Sequence, residues 1–288
     1  MDARPSRIVD AHVHLWDPAR TDWYPYLSHP PADGAGDASR MYRRYDVDTY
    51  RDETAGWRVD KFVNVAAATG RHSIEETVEL DRNAPGVGGP DAIIGGLPPT
   101  DTVDEAVEVL ERQMVAGRFR GVRPMGIHAD PVPDVAVLRA LQERNLVFEL
   151  MAHPDQLRAA AARLAGVDGL VVVVEHTGWP RSDADAERAL WRDGIDALAD
   201  LGDDVVCKLS GLAMPFGSME ADALAPWIEH AIEAFGVDRC MFASNFPVDA
   251  VHGTFDELYT TFVAVSAGLG EADRDKLFAG NAERVYRL

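Results

Sequence analysis

Asp10, His12 and His14 stand at alternate positions in Ile8-Val9-Asp10-Ala11-His12-Val13-His14, at the end of an apolar run. In an extended strand residues i and i+2 share a face. The spacing therefore predicts that all three side chains point one way. Two imidazoles held that close are suited to chelating a single metal ion. They are equally suited to gripping an anionic or carbonyl oxygen, and the bare spacing also fits two exposed histidines at a strand end.

The rest of the chain predicts what must position them. Eight short, β-branched-rich runs read as strands: Arg7–Val13, Lys61–Ala67, Ala92–Leu97, Phe119–Arg123, Leu146–Met151, Leu170–Glu175, Asp204–Leu209 and Arg239–Ala243. They are mostly unalternating, as parallel strands covered on both faces should be. Helical patterns lie between them. Thr102-Val103-Asp104-Glu105 is a capping-box sequence ahead of Val103, Ala106, Val107, Leu110 and Met114 at helical spacing. Val135, Leu138 and Leu141 repeat the pattern, as do Phe255, Leu258, Tyr259 and Phe262.

Eight strands alternating with helices predict an α/β fold, a (β/α)₈ TIM barrel forming one domain over residues 1–288. The competing doubly wound sheet would carry a glycine-rich phosphate turn after strand one. Strand one here ends in His-Val-His instead. Active sites of such barrels lie at the C-terminal strand ends. The residues there are His12 and His14, Pro98-Pro99, Arg123, His153, His176, Lys208 and Ser210, and Asn245. A long loop insertion follows strand one, over 17–60. It carries Trp23-Tyr24-Pro25-Tyr26 and Met41-Tyr42-Arg43-Arg44-Tyr45, and reads as a lid or pocket wall, or equally as a loop packed on the rim.

Composition narrows the partners. The chain has 288 residues, 47% of them hydrophobic, with a formal net charge of −20. Nucleic acid and anionic membranes both call for basic patches, so neither is an expected partner. The two cysteines, Cys207 and Cys240, lack metal-ligand spacing and are expected to be reduced and buried. The first residues carry no hydrophobic signal region, and no apolar run reaches membrane-spanning length. A cytoplasmic location is the expectation, with a small-molecule partner and a homo-oligomer left open.

Several ordered motifs together carry a resemblance. Ile8-Val9-Asp10-Ala11-His12-Val13-His14-Leu15-Trp16-Asp17-Pro18 resembles the opening strand of the amidohydrolase superfamily, and more narrowly its lactonase-like "amidohydrolase 2" branch of sugar and pyrone-dicarboxylate lactonases. Tyr24-Pro25-Tyr26-Leu27, Val174-Glu175-His176-Thr177-Gly178-Trp179-Pro180, Lys208-Leu209-Ser210-Gly211-Leu212, Phe242-Ala243-Ser244-Asn245-Phe246-Pro247-Val248-Asp249 and Phe278-Ala279-Gly280-Asn281-Ala282 resemble later segments of that branch.

The resemblance implies that His12, His14 and His176 hold a divalent metal, zinc before others, or bind the substrate's oxygen directly. It places His153 near a strand-five ligand position. Much of the superfamily has a strand-eight aspartate, which binds metal and takes the water's proton. This chain has Asn245 there, and an amide cannot serve as a general base. Candidates for the base are Asp249, Glu149 and Glu175, or a neutral His176 or His153. Strand alternation predicts that Glu175 faces away from His176.

Arg123 closes strand four, where its guanidinium can fork onto a substrate carboxylate. Lys208 is expected either to polarise a carbonyl or to form an ion pair at the barrel rim. Asp10 is expected to accept a hydrogen bond from one of the histidines or from nearby backbone. The implied function is a hydrolase opening a lactone of a small acidic or sugar-like substrate, oriented by Arg123 and by aromatics such as Trp16 and Tyr24. The competing readings are a metal-dependent decarboxylase of an unsaturated or aromatic acid, a metal-free lactonase, and a lapsed barrel that only binds a small acid.

Overall fold

A computed structural model describes residues 4–28, 36–125 and 130–288. Eight parallel strands form one sheet in sequential order: β1 Ile8–Val13, β2 Val59–Val65, β3 Ala92–Leu97, β4 Phe119–Pro124, β5 Val147–Leu150, β6 Val172–Val174, β7 Val205–Leu209 and β8 Cys240–Phe242. The ring closes just beyond β8. There the Asn245 N–H donates to the His12 carbonyl at 2.9 Å, and the His14 N–H donates to the Phe246 carbonyl at 2.8 Å.

Helices follow each strand: α1 (Val47–Thr54), α2 (His72–Val87), α3 (Val103–Gln113), α4 (Val135–Glu143), α5 (Pro154–Leu164), α6 (Asp185–Ala199), α7 (Ala213–Phe216) with α8 (Ala221–Phe235), and α9 (Phe255–Val265). The short α10 (Glu271–Asp275) and α11 (Asn281–Tyr286) end the chain. This is the (β/α)₈ barrel that the alternation predicts. The Thr102 hydroxyl caps the Glu105 N–H at 3.2 Å, but Glu105 reaches back to the Asp101 N–H rather than to Thr102. On α9 all four periodic positions, Phe255, Leu258, Tyr259 and Phe262, are buried, whereas Val135 of α4 and Met114 beyond α3 are exposed.

The barrel interior is apolar in its lower part. Val9, Ala11, Val63, Val65, Val147, Val173, Val206 and Met241 pack there with Ala282, Val285 and Tyr286 of α11. α11 lies across the N-terminal end of the barrel. Arg7 pairs with Asp275 and Glu283, Lys61 with Glu283, and the Arg120 guanidinium donates to the Tyr286 carbonyl. A polar layer sits above the apolar one, holding His12, Glu149, Glu175 and Lys208, each fully or almost fully buried. The expected rim ion pair of Lys208 is thus inside the barrel instead.

The long segment after β1 contains 3₁₀ turns at Pro25–Leu27 and Ala38–Arg40, then α1. Residues 29–35 of the expected 17–60 insertion lie outside the described residues. Cys207 and Cys240 are buried free thiols on neighbouring strands. Among the described residues, no helix is long and apolar enough to cross a membrane.

Candidate active site

β1 does not run as a regular strand to its end. Its register against β2 shifts between Asp10 and Val13. Simple alternation therefore fails, and Asp10 does not share a face with the histidines. The Asp10 carboxylate accepts from the Tyr50 hydroxyl of α1 at 2.9 Å, from the Ser244 N–H at 2.8 Å and from the His12 N–H at 3.3 Å. It thereby pins α1 and the segment after β8 to β1. Burial pushes its carboxyl up to about 6, against the pull of those donors.

The two histidines converge. Their Nε2 atoms lie 3.1 Å apart and their rings meet edge to face at 4.7 Å. The His176 ring lies 4.6 Å from that of His12. It arrives by an unusual turn. β6 stops at Val174, and His176, Thr177 and Trp179 take left-handed φ values of 51°, 56° and 41°. The turn overturns the expectation for Glu175, because alternation holds only while the strand lasts. Glu175 and His176 enter the same site, with Oε2 at 3.8 Å from Nε2. His176 Nδ1 is 3.1 Å from the Ser210 hydroxyl.

Burial, reinforced by nearby Lys208 and Arg123, holds all three imidazoles neutral: His12 is lowered well below its ordinary value, His14 to about 3 and His176 to about 4. Glu175 goes the other way. Burial alone would raise its carboxyl, but Arg123, His176, a hydrogen bond from the Glu149 carboxyl and Lys208 together hold it well below the usual carboxylate range. The Arg123 guanidinium reaches Glu175 at 3.3 Å and the Ala66 carbonyl at 2.6 Å, while its buried Nε has no partner.

These groups floor a cavity of about 560 Å³ at the C-terminal end of the barrel, with His14, His176, Arg123 and Asn245 among its lining residues. Trp16, Tyr26 and Trp179 supply aromatic walls. The Trp16 ring stacks on His14, and its indole N–H donates to the carbonyls of Met41 and Arg43. Asn245, held at φ 57°, donates from Nδ2 to Asp249 at 2.9 Å and leaves a buried Oδ1 without a partner. Behind it, Asp249 is buried, has its own unpartnered Oδ2, and is pushed up to about 7 by burial.

Three residues expected at the site sit elsewhere. Tyr24 is turned away from the cavity, and its hydroxyl donates to buried Glu76 at 3.0 Å. Tyr26, two residues on in the same motif, lines the cavity instead, because the 3₁₀ turn at Pro25 breaks any simple alternation. His153 heads α5; its ring rests on Trp179, which in turn packs on His176. Lys208 lies beneath the floor, its ammonium 2.7 and 2.9 Å from the two Glu149 oxygens and 3.3 Å from His12 Nδ1.

The donors present fit a divalent cation. Three neutral imidazoles meet beside the ionised, buried carboxylate of Glu175. Among the described residues, His12, Glu149 and Glu175 also offer one ligand atom each within 4.8 Å of one another.

Comparison with known proteins agrees with this geometry. A profile of the amidohydrolase family matches residues 9–288. The chain is 29% identical over 297 residues to the uncharacterized protein y4mH of Sinorhizobium fredii, covering 98% of each. It is 27% identical to an L-fucono-1,5-lactonase of Burkholderia multivorans, covering 97% of this chain and 96% of that one. A crystal structure of a Burkholderia multivorans amidohydrolase with bound zinc superposes with a TM-score of 0.81 at 27% identity, over 98% of this chain and all of that one.

Proposed function

The chain belongs to the amidohydrolase family and is a hydrolase, and we propose that it opens the ring of a small sugar-acid lactone. The observation that carries this reading is the meeting of three neutral histidines beside Arg123 at the floor of an open, aromatic-walled cavity. Aromatic faces suit the apolar face of a sugar ring, and a few convergent polar groups suit its carbonyl and hydroxyls. The similarity to L-fucono-1,5-lactonases supports the same class of substrate.

His12, His14 and His176, with Glu175 beside them, would hold a divalent ion, zinc by analogy with the related structure, and it would supply Lewis-acid polarisation of the carbonyl. Arg123 is fixed by Glu175 and the Ala66 carbonyl and orients the substrate's oxygens. The Asn245 amide, turned by Asp249, offers its free Oδ1 to one hydrogen of the attacking water. Asp249, its carboxyl raised to about 7, backs that amide without lining the cavity itself and would take the proton that this water loses through one bridging water. Trp16, Tyr26 and Trp179 wall the ring.

The test is a panel of sugar 1,4- and 1,5-lactones assayed by acid release. It is run on the protein as purified, after chelation, and after re-addition of zinc or manganese. Ring opening by the wild type and its loss in His176→Ala support the reading. No turnover of any lactone in all three states would overturn it.

A further inference from the structure

Glu76 is a buried acid that the histidine cluster does not use. It lies in the second turn of α2 and is 2% exposed. Among the described residues no cation forms an ion pair with it. A carboxylate so placed is costly unless hydrogen bonds replace its water. Oε2 accepts from the Ala67 N–H at 3.0 Å, and Oε1 accepts from the Ala68 N–H at 3.1 Å and the Tyr24 hydroxyl at 3.0 Å.

These bonds begin where the sheet ends. The Ala66 N–H still donates to the Ile94 carbonyl of β3 at 2.8 Å. The next two N–H groups go to Glu76 instead. The segment held in this way supports two features of the cavity. The Ala66 carbonyl accepts from the Arg123 guanidinium at 2.6 Å, and the Ala67 carbonyl accepts from the Tyr26 hydroxyl at 2.9 Å. The same carboxylate holds Tyr24, two residues before Tyr26, while the Trp23 carbonyl accepts from the Thr69 N–H at 2.8 Å. The Tyr24–Tyr26 turn and the loop after β2 thus form one wall. Glu76 bonds both halves of it without lining the cavity itself.

We propose that Glu76 is a positioning residue whose carboxylate clamps the Tyr24–Tyr26 turn to the loop after β2, fixing Arg123 and Tyr26 for substrate and so setting substrate affinity rather than the rate of the chemical step. The histidines come from the end of β1 and the turn after β6, outside the clamp. His14 approaches it most closely, through the Val65 carbonyl, and Val65 is still paired with Ile94 in the sheet. Loosening the clamp therefore acts on binding.

The effect on KM rests on the lactone reading of the cavity, but the clamp itself can be read without substrate. In ¹H–¹⁵N spectra of the wild-type full-length protein, the Ala67 and Ala68 amides should exchange with solvent within about tenfold of the Ala66 rate. Exchange of either at the rate of an open loop overturns the proposal, whether or not any variant folds. Glu76→Gln keeps the shape but leaves one acceptor oxygen for donors that now use two. Tyr24→Phe deletes one donor. Both variants are labelled with 3-fluorotyrosine, and the Tyr26 signal is identified by its loss in Tyr26→Phe. Glu76 has no hydrogen bond to Tyr26, so a purely local role would leave that signal in place, whereas the clamp predicts that it moves in both variants. On any lactone that the wild type opens, KM should rise roughly tenfold with kcat within about threefold of wild type. An unmoved Tyr26 signal in the folded variants, or a KM that stays at the wild-type value, overturns the proposal. A wild type that opens no lactone refutes the lactone reading alone, and the exchange rates and fluorine signals then decide the clamp.

Discussion

Gly211→Ala should disable the site without touching any group that does chemistry. Gly211 follows Ser210 at the end of β7 and holds φ at +69°. A Cβ placed there would lie 2.6 Å from Cγ and Nδ1 of His176 and 2.7 Å from its Cβ. Ordinary contact begins near 3.4 Å, so the ring must retreat by about 0.8 Å. It has little freedom to do so, since its own backbone is in the left-handed region and Trp179 packs against it. A left-handed alanine costs about 1–2 kcal/mol, and the overpacking a further 1–3 kcal/mol. A Tm fall of roughly 6–12 °C follows for a loss of about 3 kcal/mol in a chain near this size.

The effect on turnover should be larger than stability alone explains. Displacing a reacting group by about 1 Å costs on the order of a hundredfold, so kcat/KM on the best lactone should drop by about that factor at a temperature where the variant is folded. Gly217→Ala is the control. Its φ is +61° but nothing lies within 4 Å of the added Cβ, so it should share the backbone strain and keep wild-type kinetics. Calorimetry and initial rates on both variants decide the matter. A folded Gly211→Ala enzyme within threefold of wild type would refute the placement of His176 at the reacting centre.

Three further outcomes follow from the same geometry. Lys208→Met or Glu149→Gln alone strands a buried charge and should cost about 3–5 kcal/mol in urea unfolding, while the double variant should recover most of it; equal, additive losses would count against a tight pair. The Asp249 carboxyl is raised from its ordinary 3.8 to about 7 by burial, so the folded state holds its proton more tightly than the unfolded one. Its contribution is present below about pH 4 and lost as pH rises through about 7, a change of up to roughly 4 kcal/mol. Asp249→Asn should thus be more stable relative to wild type at pH 8 than at pH 4, and should lose any kcat/KM limb near pH 7; identical pH profiles would remove Asp249 as the base. Arg123→Met should raise KM by roughly tenfold to a hundredfold, the worth of a hydrogen bond to a charged group, with Arg123→Lys failing to restore it; an unchanged KM would take Arg123 out of substrate binding.

The strands were legible because burial on both faces demands continuous β-branched runs, and the observed ends differ from the expected ones by two residues or fewer. β6 is the instructive case. The run reads as a strand to Glu175, yet the chain leaves the sheet after Val174. No residue type announces that His176 and Thr177 will take positive φ, since neither is glycine. The same holds at β1, where a register shift turns Asp10 toward α1 while His12 and His14 meet. Alternation is a rule for regular strands, and both ends of this site are built where the strands stop being regular. Tyr24 and Tyr26 lie in one motif, and only the 3₁₀ turn between them decided which lines the cavity.

By itself the sequence determined the barrel, the end of it that carries the polar groups, and the histidines that gather there. These follow from local patterns, namely hydrophobic periodicity and residue type at strand ends. It left open what the histidines stand on inside the barrel. That answer belongs to Lys208, Glu149 and Tyr286, which are distant in sequence from the histidines and from one another. They meet in one low-dielectric layer inside the barrel, where the Lys208 ammonium faces His12 and is gripped by Glu149, which the Tyr286 hydroxyl holds in turn. Only closure of the barrel brings those groups together.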